Sequence, residues 1–162
     1  MAEIAKVEGL RELAQALRSL PVRVASKQLA KPVAQAGAMI RDAARIMAPY
    51  YTGAVSKGHP PPGTLKKAII LKKKPSGSPF IADYIVTVKH GKRYQDVGKQ
   101  HQNLDAFYWT FVEFGSIHNP KTPFLRPAFE ALKNDALRVI VDGLRLGVET
   151  EAQGVTWFGG SR

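Results

Sequence analysis

Few residues in this chain stand in combinations that could do chemistry. Its four histidines, His59, His90, His101 and His118, are scattered, and there is no cysteine. None of the histidines stands at ligand spacing from another, so a metal site would have to be assembled from distant loops. His118 lies near Glu113 in sequence, a pairing that could move a proton. A turn separates the two, and a histidine in a loop is more often simply solvated. No G-x-S-x-G elbow and no GxxxxGK[ST] phosphate loop occurs. The expectation is a protein with no catalytic residues, no cofactor and no metal. The lack of cysteine removes disulfide and thiolate chemistry and fits an intracellular origin.

Charge is the stronger chemical signal. The 162 residues carry a net charge of +11, and residues 66–99 hold nine of the 24 basic residues against two acidic ones. Residues 100–162 hold six basic and seven acidic residues. The positive field is therefore concentrated in the middle third, at Lys66, Lys67, Lys72, Lys73, Lys74, Lys89, Lys92 and Arg93. Such a patch attracts a phosphate backbone or an acidic protein surface. The plainer alternative is a set of lysines solvating an exposed hairpin. Sequence-specific DNA readout is not expected, because no helix carries clustered Arg, Asn and Gln.

The elements that must position these residues follow from pattern. Apolar positions at spacings of three and four predict a helix over 3–19, ended by Pro21. A second helix is predicted over 22–47, with Pro32 kinking or splitting it. Its frequent alanines allow close packing against a neighbour. Residues 49–63, PYYTGAVSKGHPPPG, cannot be regular. A loop this long is either functional or disordered, and Tyr50, Tyr51, His59, Pro60, Pro61 and Pro62 are its candidate contacts to a neighbouring subunit. Alternation predicts strands over 64–74 and 80–90, paired as an antiparallel hairpin. Residues 91–105 read as a loop.

The stretch 107–133, FYWTFVEFGSIHNPKTPFLRPAFEALK, has the most character. Its aromatic and β-branched start predicts a strand over about 106–114, with Phe107, Trp109 and Phe111 facing the core. Both faces of that strand are apolar or amphipathic. It is therefore central in a sheet or covered by another subunit. After a turn, Thr122 can cap a helix that has Pro123 in its first position. That helix is predicted to run to Gly147 as its C-cap. The fold class expected is α+β: a small antiparallel sheet of three to four strands packed against a long N-terminal helix and a C-terminal helix. One domain over 1–147 and a tail over 148–162 are expected. The N-terminus has no apolar core of a secretory signal, and no run is long enough to cross a membrane.

The VEFG run, a short loop and PFLRPAFEAL resemble a signature of the tailed-phage head–tail connector family. These are neck, tail-completion or minor tail proteins that join a packaged capsid to a tail. Ala48-Pro49-Tyr50-Tyr51-Thr52-Gly53 followed by Thr64-Leu65-Lys66-Lys67-Ala68-Ile69 is also similar to that family, with about ten extra residues between. The resemblance implies a virion assembly component without enzymatic activity, forming a ring at the neck, often six-fold. Its partners would be itself and other head, neck and tail proteins, with non-specific contact to packaged DNA and none to a membrane. It implies a scaffolding role for Phe111, Glu113, Phe114, Gly115, Pro123, Phe124, Leu125, Arg126 and Pro127. The alternative reading is a basic nucleic-acid-binding module without sequence specificity.

Overall fold

The computed structural model describes residues 9–19, 22–52, 60–78, 80–91 and 105–157. Among these described residues, five helices and two strands follow in the order α1 (Leu10–Ser19), α2 (Val22–Met47), α3 (Thr64–Ala68), β1 (Ile69–Lys73), β2 (Tyr84–Val88), α4 (Trp109–Phe114) and α5 (Leu125–Trp157). The class is α+β. Among the described residues the sheet has two strands rather than three or four. The chain forms two compact units. One comprises residues 1–36, 73–84 and 134–162, and the other residues 37–72 and 85–133.

In the first unit, α2 and α5 approach closely, and glycine permits it. A Cβ on Gly143 would stand 2.6 Å from the Cβ of Pro32, and one on Gly147 would stand 2.8 Å from Oε1 of Gln28. The Gln28 amide donates to Glu151 at 2.9 Å beside this seam. Ala25, Ala36 and Ala136 are buried. Pro32 does not split α2, which runs through it. Gly147, expected at a helix end, lies inside α5. Glycine costs a helix interior about 1 kcal/mol relative to alanine, so the close approach must outweigh that cost. Gly143→Ala should therefore lower stability despite its better helix propensity, by about 1–2 kcal/mol, because the Pro32 ring has little freedom to yield. Gly147→Ala presses on a flexible amide and should fall within about 0.5 kcal/mol of wild type. Urea denaturation of the two variants side by side tests the difference.

The second unit holds the larger apolar cluster. Ala44, Ala48, Leu65, Ala68, Ile69, Val88, Ala106, Phe124 and Ala128 are buried together. Phe124 and Ile69 are its largest fully enclosed side chains. Backbone bonds from Lys89 N–H to the Ala68 carbonyl and from Lys74 N–H to the Asp83 carbonyl flank the antiparallel hairpin. They set the register that places Ile69 opposite Val88 and Leu71 opposite Val86. Arg45 of α2 donates twice to the Ile69 carbonyl, at 3.1 and 2.8 Å, and so fixes the first strand residue.

Two predicted strand segments are helical. Residues 64–68 form α3, entered through Gly63 at φ +83° and held by a 2.7 Å bond from the Thr64 hydroxyl to the Pro61 carbonyl. The stretch expected as a strand over 106–114 is a turn followed by α4. Strand propensity measures fit to a half-buried pleated surface, and no third strand is present here among the described residues. Instead Tyr108, Trp109 and Val112 pack on the core, and Glu113 is buried. That set repeats at helical rather than alternating spacing.

Candidate interaction surface

The carboxylate of Glu113 organises the second unit's surface. Its Oε2 accepts from the backbone N–H groups of Phe124 at 2.8 Å and Leu125 at 3.0 Å, and its Oε1 accepts from that of Arg126 at 3.1 Å. These are orphan donors at the start of α5, where the helix dipole also favours a negative charge. Pro127 has no N–H to satisfy, and Ala128 N–H bonds the Phe124 carbonyl at 3.4 Å. Every donor of the first turn is thus answered or missing. The cap is Glu113, reaching across from α4, and not Thr122 as local sequence suggests. Pro123 precedes the helix rather than starting it.

The Glu113 carboxylate is engaged with the helix start, and the His118 side chain is exposed. His90 is also exposed, with its ring centroid 6.1 Å from that of Trp109. His59, Lys92 and Arg93 lie outside the described residues.

The loop between α4 and α5 holds itself in shape. Gly115 takes φ +85°, and a Cβ there would stand 3.3 Å from both Lys121 N and Lys121 Cβ. Ser116 N–H donates to the Asn119 carbonyl at 2.9 Å, and Thr122 N–H to the Val112 carbonyl at 2.8 Å. The Ser116 hydroxyl accepts from His118 N–H at 3.3 Å and Asn119 N–H at 3.1 Å. This self-bonded loop carries Ile117, which is 99% exposed.

The outer side of α4 is apolar as well. Phe107, Phe111 and Phe114 follow at spacings of four and three, which places them on one side of a helix. They are 52%, 50% and 65% exposed. The expectation that Phe107 and Phe111 face the core is therefore corrected: of the three residues assigned to that face, only Trp109 packs against it. Beside them lies a groove of about 610 Å³ lined by Pro49, Tyr50, Tyr51, Pro60, Pro61, Leu65, Phe107, Phe111, Pro120 and others, with no charged residue among the described residues that line it. Tyr50 and Tyr51 are more than half exposed. Tyr108, at the groove wall, has its phenol pushed above the usual tyrosine range by burial, while a backbone hydrogen bond with Leu65 pulls the other way.

The lysines stand elsewhere. Lys72, Lys73, Lys74 and Lys89 are exposed on the hairpin, Lys67 is exposed on α3 and Lys66 is half-buried. The register puts Lys72, Lys74 and Lys89 on the face opposite Ile69 and Val88. The adjacent residues Lys73 and Lys74 thus point to different sides. The lysines are not among the residues lining the groove, whereas Tyr50, Tyr51, Pro60 and Pro61 of the loop to which sequence assigned partner contact are. A helical reading of the 107/111/114 spacing would have found the aromatic surface.

The sequence of residues 11–115 matches the model of the HK97-gp10-like family, described as "Bacteriophage HK97-gp10, putative tail-component". The match spans more than half of the 162 residues. The chain belongs to this family. The matched range ends at Gly115, so the HK97-gp10-like match takes in α1 to α4 with Glu113, and the α5 start that Glu113 caps lies beyond it. Comparison with curated proteins and with solved structures gave no significant match. Among the described residues no group of three His, Asp or Glu side chains comes together to hold a metal, and no helix is long and apolar enough to cross a membrane.

Proposed function

We propose that this protein is a structural assembly subunit of a tailed phage that completes the tail or joins it to the head, taking its place in a ring at the neck of the virion. The observation that carries this reading is the uncharged aromatic face of α4 and its groove, in a chain of the HK97-gp10-like family. Exposed apolar surface on this scale marks a protein interaction site. Deletion of the gene from its phage should leave filled heads and separate tails, and supplying the protein in trans should join them. Complete infectious particles without it would contradict the reading.

The hairpin lysines suit a second contact in the same assembly, along the path of packaged DNA. Charge reversal at Lys72, Lys73 and Lys74, all exposed, should leave the fold intact and impair head–tail joining or DNA passage. Normal yields of infectious particles from the triple Glu variant would remove DNA from the account. The basic face also supports the alternative of a nucleic-acid-binding module. A monomer whose DNA affinity falls steeply with salt would favour that alternative, and DNA-independent assembly would favour the structural subunit.

A further inference from the structure

We propose that the turn of the basic hairpin is a phosphate-binding site, a pocket between that turn and α2 that takes one phosphate group. The site goes beyond the assembly role and does not depend on it.

Three observations carry it. First, the pocket is assembled within one compact unit. It measures about 480 Å³ and is lined by Ser26 of α2 and by Lys73, Lys74, Ser76, Gly77, Ser78 and others of the hairpin. All of these belong to the first unit. No carboxylate is among the described residues that line it. Asp83, whose carbonyl accepts from Lys74 N–H, has an exposed side chain and is not part of the lining.

Second, the lining is rich in donors that have no acceptor. Lys73 and Lys74 form no ion pair among the described residues. The Ser26 hydroxyl and the N–H groups of Ser76 and Gly77 likewise bond no described residue. The Ser76 hydroxyl is spent inside the turn, donating to the Ser78 carbonyl at 3.0 Å and accepting from Ser78 N–H at 3.3 Å. The Ser78 hydroxyl accepts from Phe80 N–H at 3.3 Å and keeps its own proton to give. An ammonium group, hydroxyls and the successive N–H groups of a turn are the donor set that phosphate sites use. They converge here from a helix, a strand end and a turn. A phosphate group has oxygens to meet all three, where a carboxylate has only two.

Third, the turn is open to a ligand and the field favours an anion. A Cβ on Gly77 would meet nothing within 4 Å, so a ligand can reach the backbone there. The first turn of α2 holds no acidic residue, and its side chains therefore do not offset the positive end of the helix dipole. Lys73 lies on the face of β1 that carries Ile69 and Leu71, while Lys72 lies on the other face and outside the lining.

That difference between neighbouring lysines supplies the test. Inorganic phosphate is titrated into the full-length chain, with ionic strength held by sodium chloride, and amide signals are followed by NMR. The signals of Ser76 and Gly77 should shift and saturate. Lys73→Gln combined with Ser26→Ala should weaken binding by about ten-fold or more, as expected for lost charge-assisted contacts. Lys72→Gln removes the same charge outside the pocket and should stay within about two-fold, since it acts only through screening solvent. The absence of a saturable shift would overturn the site. Equal losses from Lys72→Gln and from Lys73→Gln alone would also overturn it, by showing diffuse attraction to the whole hairpin. A single-stranded oligothymidylate without terminal phosphates is then added to the phosphate-bound protein. Displacement of phosphate identifies a phosphodiester backbone as the source of the group, and retention identifies the free ion or a monoester; both outcomes uphold the site.

Discussion

Glu113→Ala should lower the stability of the protein by about 3–4 kcal/mol in urea denaturation, one of the two largest effects expected of a single substitution. Three backbone donors lose a charged acceptor at once, and a hydrogen bond to a charged group contributes about 1.5–3 kcal/mol. The total stays below three such bonds because water can reach part of the opened site, and Arg126 is exposed. Glu113→Gln keeps the shape and one acceptor oxygen but turns a donor toward an N–H, and should cost about 2 kcal/mol. Glu113→Asp is one methylene too short to reach all three groups and should fall between the two. Equal stability of Glu113→Ala and wild type would show that α5 starts without this cap.

The second prediction concerns function and leaves the fold alone. Ile117→Asp places a charge where the native side chain is almost fully exposed, so stability should stay within about 0.5 kcal/mol. Head–tail joining should nevertheless fall by at least ten-fold. A carboxylate at the tip of an apolar contact would be desolvated when a partner binds, and an unpaired buried charge costs several kcal/mol. Phe111→Ser attacks the same apolar surface from α4. It removes a half-exposed ring, so its stability cost should be smaller than that of losing a core aromatic such as Phe124. The pair together distinguishes a working surface from a packing surface, because a packing residue would lose stability in step with function.

How far the sequence discloses these features depends on which interactions decide each element. Helix α2 follows directly from its apolar spacing, with the expected bounds, because a long amphipathic segment needs little tertiary information. The hairpin likewise follows from alternation, though its first strand starts only at Ile69. There the Arg45 guanidinium takes hold of the chain and Gly63 has already turned residues 64–68 into a helix. Segment 107–114 misleads because both readings of its pattern put aromatics somewhere sensible. Alternation groups Phe107, Trp109 and Phe111, whereas helical spacing groups Trp109, Val112 and Glu113. The choice is made by Glu113, whose carboxylate must meet the start of α5, a contact between residues eleven to thirteen apart that no local propensity contains. For the same reason the cap falls to Glu113 rather than Thr122.

The family resemblance was legible in short runs such as VEFG, and the family match ends at the last residue of that run. The physical content of the signature emerges only in three dimensions. Its glutamate caps the helix that starts at the Leu125 of PFLRP, its glycine allows the turn, and its exposed aromatics point outward. The lysine-rich hairpin was legible as charge, but charge alone does not say which surface excludes water. The neutral groove escaped notice because its walls come from three separate segments, around Tyr50, Pro60 and Phe111.

The most direct test of the aromatic face as the working surface is complementation. Phage lacking the gene are supplied with the Ile117→Asp chain, and the products are counted as infectious particles and viewed by electron microscopy. The prediction is a stably folded protein, filled heads, separate tails and at least a ten-fold loss of infectious particles. Infectious yield equal to that given by the wild-type chain would contradict it.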